Sequence, residues 1–329
     1  MIITQTPLRI SFLGGGTDFA EFYTKEEGFV LSSAIDKYIF VIVKERFDEM
    51  IYVNYSRKER VDSPEKIEHD LVREALLKTG VNEGIEITIL ADIPSEGSGL
   101  GSSSSLIVGL LNALYMYKGI QVTAEQLAME ACDIEINICK RPIGKQDQYI
   151  AAYGGLCTFR FKNNCDVDVN KFNITEAGRR LLGSNLLLFF TGLTRSSSSI
   201  LTEQNENTAS NLEELKGIKN LAIEGEKAIN KNDFNELGNL LNANWRIKKK
   251  LSSNISNGSI DGMYDKAIKA GALGGKIAGA GGGGFLLLYC NHELQNNVRE
   301  ALKGYKEMPF LLENDGTKVI FNYRRYSWK

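Results

Sequence analysis

The chain has 329 residues, 43% hydrophobic and 24% charged, with 39 Lys+Arg against 41 Asp+Glu for a formal charge of −2. These proportions fit a folded chain of about two ordinary domains and exclude global disorder and an overall positive field for nucleic acid or an anionic membrane. Two histidines, His69 and His292, cannot build a multi-histidine metal site, and five cysteines without a C-x-x-C pair leave zinc ribbons and thioredoxin-like chemistry unsupported. The cysteines read as buried free thiols of a reducing compartment. Pro7 and Arg9 interrupt any signal-peptide pattern, and no apolar run reaches the roughly 20 residues of a membrane span. A cytoplasmic protein is expected.

In chain order, the first ninety residues predict mostly strand, above all the β-branched runs at 39–43 and 85–90. Between them Ser63-Pro64 predicts a helix start, with serine as N-cap and proline at the first helical position. Gly80 ends that helix after Thr79. Pro94 to Ser105 is turn-rich, and the helix that follows carries Leu106, Ile107, Leu110, Leu111, Leu114 and Tyr115 on one face. Thr123-Ala-Glu-Gln126 has capping-box form. It opens a helix whose Leu127, Ala131, Ile134 and Ile138 share a stripe and which ends at Arg141-Pro142. Strands are predicted at 156–161 and 186–191, polar helix over 208–251 and a further helix near 261–270. A glycine loop, a strand at 285–290, a helix near 293–303 and a strand at 318–323 complete the pattern. The order is α+β rather than a regular βαβα alternation, with a soft boundary near 180–185.

Glycine is the outlier, at 32 residues, about ten per cent where about 7% is usual. Residues 14–16, 97–101 and 274–284 hold 3, 3 and 7 of them. In Gly97-Ser-Gly99-Leu100-Gly101-Ser102-Ser103-Ser104-Ser105, glycines at alternate positions let backbone amides converge. The serines stand at the start of a helix, whose free N–H groups and positive dipole end suit a phosphate. The alternative is a flexible loop with a serine N-cap; the flanking strand and helix favour the anion cradle. A Walker A loop is excluded, because Lys145 precedes Gln146 and Lys276 precedes Ile277. The literal G-x-G-x-x-G at Gly279–Gly284 runs into the strand-like Phe285-Leu-Leu-Leu-Tyr289, which is the wrong context for a dinucleotide fold. It reads either as a strand–loop–strand that closes over a ligand or as a structural hairpin. Acidic partners follow: Glu125, Glu130, Asp133 and Glu135 on one helix, and Asp147 within Gly144-Lys-Gln-Asp-Gln148. One carboxylate for a metal and a second for an acceptor hydroxyl is what phosphoryl transfer to an alcohol requires.

Together the three motifs resemble those of the GHMP kinase superfamily, which includes galactokinase, homoserine kinase and mevalonate kinase, over nearly the whole chain. The resemblance implies a two-domain α+β fold, with a ribosomal-protein-like domain over 1–183, a ferredoxin-like domain over 184–329 and ATP in the cleft between them. It implies that Gly97, Gly99, Leu100, Gly101, Ser102, Ser103 and Ser104 form the ATP phosphate loop, that Ser103 and Glu135 bind Mg2+, and that Asp147 is catalytic with Arg9 beside it and the transferred phosphate. Gly16, Thr17 and Asp18 resemble the sugar-binding segment of sugar kinases. Galactokinases have Gly-Glu-His-Thr-Asp where this chain has Gly14-Gly15-Gly16-Thr17-Asp18. Gly281 and Gly282 are expected to close against the sugar. The segments Gly144–Gln148, Thr191–Ser198, Trp245–Lys248 and Gly274–Gly284 look most like the branch that phosphorylates D-glycero-D-manno-heptose 7-phosphate on its anomeric hydroxyl, on the route to GDP-heptose and surface glycans. An L-fucose branch shares much of the motif set. Arg195 is the candidate for the distal 7-phosphate and Lys248 the alternative. A non-catalytic sugar sensor is disfavoured, because Ser103, Glu135 and Asp147 are all present. The partners implied are ATP, Mg2+ and a small-molecule sugar phosphate, with no nucleic acid and no membrane.

Overall fold

A computed structural model describes residues 1–94, 97–194 and 197–323. The chain opens with β1 (Ile2–Leu13), a short helix α1 (Ala20–Tyr23) and β2 (Gly28–Glu45). β3 (Ile51–Asn54), β4 (Lys58–Val61), α2 (Asp70–Thr79) and β5 (Ile85–Ala91) follow. Next come α3 (Ser102–Lys118), α4 (Ala124–Cys132), α5 (Gln146–Tyr153), β6 (Leu156–Phe161) and β7 (Val167–Lys171). β2 is the spine of the first sheet. Its first half pairs with β6, its second half with β5, and β1 runs antiparallel along its other side. That length is possible because Val30, Leu31, Ile39, Val41 and Val43 are β-branched or apolar and buried. α3 packs on β1 and β2, with Ile107, Leu110, Leu111 and Leu114 fully buried.

The second half runs α6 (Glu176–Ser184), β8 (Leu186–Phe190), α7 (Ser197–Glu206), α8 (Leu212–Asn230), α9 (Phe234–Lys248), α10 (Gly258–Lys269) and β9 (Gly274–Ile277). It ends with β10 (Phe285–Tyr289), α11 (Gln295–Ala301), β11 (Lys306–Glu307) and β12 (Lys318–Asn322). Four of these strands form an antiparallel sheet in the order β11-β8-β10-β9. The boundary expected at 183/184 falls inside the last turn of α6, just before β8. The final strand departs from it: β12 returns to the first sheet and pairs with β1, Ile2 opposite Asn322 and Gln5 opposite Lys318. The chain's end thus ties the two halves together.

Two helix boundaries differ from the sequence reading for local reasons. Ser63-Pro64 makes only a 3₁₀ turn, Pro64–Lys66, because Ile67 drops to extended backbone and the Ser63 side chain makes no cap bond. α2 then starts at Asp70 and ends, as expected, at a left-handed Gly80. The polar helix over 208–251 is two helices, α8 and α9. They break where Asn232 takes a φ of 55° and the Asp233 carboxylate accepts the Glu236 amide at 3.2 Å.

α9 lies directly on β9, and Gly274, the first glycine of the third cluster, serves that contact rather than a ligand. A Cβ on Gly274 would overlap the carbonyl oxygen of Gly238 and lie 2.7 Å from the Asn242 amide. Gly274→Ala must therefore push a helix backbone off the sheet. We expect a loss of about 2 kcal/mol in urea unfolding, and an unchanged midpoint would contradict this packing.

Candidate active site

The two halves meet through bare backbone. A Cβ on Gly279 would lie 2.8 Å from the Cα of Gly99, and both residues hold left-handed φ values, +71° and +72°. β1 brings Arg9 beneath this contact. Its Nη1 donates to the Gly99 carbonyl at 2.6 Å, while Nε and Nη2 donate to Oδ1 and Oδ2 of Asp147 at 2.7 and 2.5 Å. The fork of two parallel N–H···O bonds is the strong, directional form of carboxylate recognition. Arg9 is buried, and Asp147, in the first turn of α5, stays partly open. One guanidinium thus fixes the glycine loop and the aspartate relative to each other.

α3 begins immediately behind this loop. Its N-cap is Gly101 in left-handed backbone, with no side chain capping the first amides, so they are free for an anion. Ser103 and Ser104 both donate to Glu135, Ser104 at 2.6 Å, and Gln148 Nε2 donates to the same carboxylate at 2.6 Å. Glu135 is fully buried. It reaches this position on a π turn, Asp133–Ile138, that continues α4; the Cys139 amide bonds back to the Ile134 carbonyl at 2.8 Å. The extra residue in that turn swings Ile138 out of the expected apolar stripe, leaving it 46% exposed. Burial pushes the Glu135 carboxyl up, against the pull of Ser103, Ser104, Arg141 and Gln148.

Arg141 was legible in the sequence only as a helix terminator. In the structure its Nη1 donates to Ser103 Oγ at 2.6 Å and to Glu135 Oε1 at 3.2 Å, and its Nη2 to both oxygens of Asp70 at 3.0 Å. A cation therefore already shares the two side chains expected to bind magnesium. Hydroxyl and carboxylate are the hard donors Mg2+ takes, and one carboxylate is a common protein share when phosphates and water supply the rest. Among the described residues no group of three or more His, Cys, Asp or Glu could hold a metal by itself. The donor set fits an ion that arrives with a nucleotide.

On the other side of Arg9, Asp18 is buried and accepts the Gly16 amide at 2.9 Å and the Gln146 amide at 3.2 Å. Burial pushes its carboxyl up, and Asp147 adds to that. A cavity of about 70 Å³ is lined by Arg9, Gly16, Asp18, Asp147, Lys248 and Lys276, among others. A larger one, about 1030 Å³, adjoins it at Asp18, Phe19 and Ile143. Lys248 Nζ donates to the Gly279 carbonyl at 2.5 Å and Lys276 Nζ to the Ser11 carbonyl at 2.8 Å. Burial, with Arg9 adding repulsion, pushes the Lys248 ammonium down to about 8. Burial and the neighbouring Lys248 push Lys276 well below its ordinary range.

Two expectations need correction. Thr17 does not face the cavity: it is fully buried, and its hydroxyl donates to the Gly14 carbonyl at 2.8 Å and accepts the Phe29 amide at 3.0 Å, pinning the loop to β2. Gly281 and Gly282 do not close on it either. They pack on Ile255, whose carbonyl accepts the Gly282 amide at 2.8 Å, while Gly279 and Ala280 line the cavity instead. Arg195 lies outside the described residues. Lys276 entered the sequence reading only to exclude a Walker A loop. A lone lysine inside an apolar, glycine-flanked strand was the available signal.

A family profile described as "GHMP kinases N terminal domain" matches residues 67–155, and one described as "GHMP kinases C terminal" matches 226–307. The D-glycero-alpha-D-manno-heptose 7-phosphate kinase of Campylobacter jejuni subsp. jejuni is 32% identical over 96% of this chain and 97% of its own length. The crystal structure of a D-glycero-D-manno-heptose 1-phosphate kinase from Bacteroides thetaiotaomicron is 26% identical, with a TM-score of 0.83 over 98% of this chain and 100% of that one. An L-fucokinase/L-fucose-1-P guanylyltransferase of Bacteroides fragilis is 32% identical over 62% of this chain but only 22% of its own length.

The Arg141–Glu135 contact yields a stability test. Removing one partner of a buried pair leaves an uncompensated charge. Arg141→Gln is expected to lower the free energy of unfolding without nucleotide by about 3 kcal/mol, and adding Glu135→Gln to recover a large part of it. Strictly additive losses would show that the two side chains are not coupled.

Proposed function

Since the chain belongs to the GHMP kinase family, we propose that it transfers the γ-phosphoryl group of ATP to the anomeric hydroxyl of D-glycero-D-manno-heptose 7-phosphate, giving the 1,7-bisphosphate. The observation that carries the mechanism is the Arg9 bridge between Gly99 and Asp147. It sets a phosphate cradle and a carboxylate side by side, so a donor and an acceptor hydroxyl meet in line. The amides of residues 97–104 and the N-terminus of α3 receive the phosphates. Ser103 and Glu135 would hold Mg2+, which supplies charge neutralisation on the phosphate oxygens when bound. Asp147 orients the anomeric hydroxyl and accepts its proton. Asp18 orients ring hydroxyls. Residues 1–183 contribute these groups, and residues 184–329 contribute Lys248, Lys276 and the loop that meets Gly99.

The choice of acceptor rests on the similarity to the heptose phosphate kinases and on Gly15 and Gly16. These line the cavity where galactokinases carry Glu-His, so this chain presents bare backbone to the sugar there. Arg195 stands as the candidate for the distal phosphate. The second reading is L-fucose, favoured by the fucokinase similarity.

ATP consumption should be measured against heptose 7-phosphate, unphosphorylated heptose, L-fucose and galactose. We expect kcat/KM to be highest for the phosphorylated heptose, and a preference for fucose or galactose would overturn the acceptor. Asp147→Asn should lower kcat by about 10³ with nucleotide affinity retained. Near-normal turnover would remove Asp147 from the chemistry.

A further inference from the structure

The acceptor cavity holds two buried lysines beside Arg9 that no carboxylate contacts directly among the described residues. Lys248 and Lys276 are 5% and 2% exposed. Neither has a carboxylate within ion-pair distance among the described residues. Each uses a single N–H, on a backbone carbonyl, where an ammonium has three to give. Ser11 Oγ, lining the same cavity, is buried with no hydrogen-bond partner among the described residues. The two carboxylates close by are already engaged: Asp147 by Arg9, and Asp18 by the amides of Gly16 and Gln146. A buried ammonium without a counter-charge is costly and is kept where an anion is to be met.

We propose that Lys248, Lys276 and Ser11 form a phosphate subsite within the acceptor cavity, two ammonium groups and a hydroxyl donating to the oxygens of one phosphate group. The subsite deepens the kinase reading above and rests on it. Its three members come from α9, β9 and β1, so a phosphate bound there joins both sheets. At about 70 Å³ the space is about that of two waters. It suits a small anionic group, with the sugar extending past Asp18 towards the larger cavity. The phosphate has two possible sources: the phosphoryl group in transit from ATP, or the phosphate the acceptor already carries.

Lys248→Met, Lys276→Met and Ser11→Ala should be made in the full chain and assayed with heptose 7-phosphate and with unphosphorylated heptose. Each should also be melted with saturating ADP, with and without millimolar inorganic phosphate. Both methionine variants are expected to lose at least about thirtyfold in kcat/KM while melting at or above the wild-type temperature, because a buried charge has gone. The wild type should gain thermal stability from inorganic phosphate, and the variants should gain less. A loss confined to the phosphorylated heptose identifies the acceptor's own phosphate; an equal loss on both sugars identifies the group in transit. Should a methionine variant not fold, Ser11→Ala, which removes only the unpartnered hydroxyl, must still reduce the phosphate-induced rise. Activity within about threefold of wild type on both sugars, or an unchanged phosphate response in every variant, would overturn the subsite. If the wild type turns over neither heptose, the acceptor assignment fails while the melting experiment still decides the subsite.

Discussion

The site is organised around one side chain. Arg9 spends its guanidinium on two groups from distant parts of the chain, the Gly99 carbonyl and the Asp147 carboxylate, while its own amide bonds to the Leu100 carbonyl at 3.0 Å. Burying such a pair adds little net stability, since desolvation offsets the attraction. What it supplies is geometry. A planar fork allows one arrangement of two acceptors, which the compact ammonium of a lysine could not impose. Because Arg9 sits on β1, which runs beside the long β2, that arrangement is anchored to the most extensively paired strands of the first sheet. The second half reaches the same point through Gly279, pressed against Gly99.

Charge is distributed unequally about this centre, in a way that suits phosphate chemistry. On the side of α3, the buried Glu135 is matched by Arg141, which is matched in turn by Asp70. On the side of the smaller cavity, Lys248 and Lys276 have only backbone carbonyls as hydrogen-bond partners among the described residues. The first cluster is paired without a ligand; the second holds two buried lysines that no carboxylate contacts among the described residues. Fixed charges that need no rearrangement as the phosphoryl group passes are the main resource an enzyme has for this reaction.

Much of this was visible in the sequence because the decisive groups lie in short local patterns. The serine loop and Asp147 could be named from their surroundings, and the resemblance singled out Glu135 among four acidic residues on its helix. What stayed hidden depends on partners far along the chain. Thr17 reads as a sugar contact until Phe29 is seen to occupy its hydroxyl. Gly281 and Gly282 read as a lid until Ile255 is seen beneath them. Arg141 reads as a helix end because nothing local shows that a π turn carries Glu135 towards it. Lys276 faces Ser11, 265 residues away. The return of β12 to the first sheet is likewise a matter of long-range register. The glycine excess proved divided: Gly99 and Gly279 bring loops together and Gly16 lines the cavity, whereas Gly274 lets α9 rest on β9.

The central claim is that the Arg9–Asp147 pair is where donor and acceptor meet. A crystal structure with a non-hydrolysable ATP analogue and heptose 7-phosphate tests it directly. The account predicts the phosphates on the amides of residues 97–104 and the anomeric oxygen within hydrogen-bond reach of Asp147, about 2.6–3.2 Å. An acceptor bound with its anomeric oxygen away from Asp147, or a nucleotide whose phosphates avoid that loop, would contradict it.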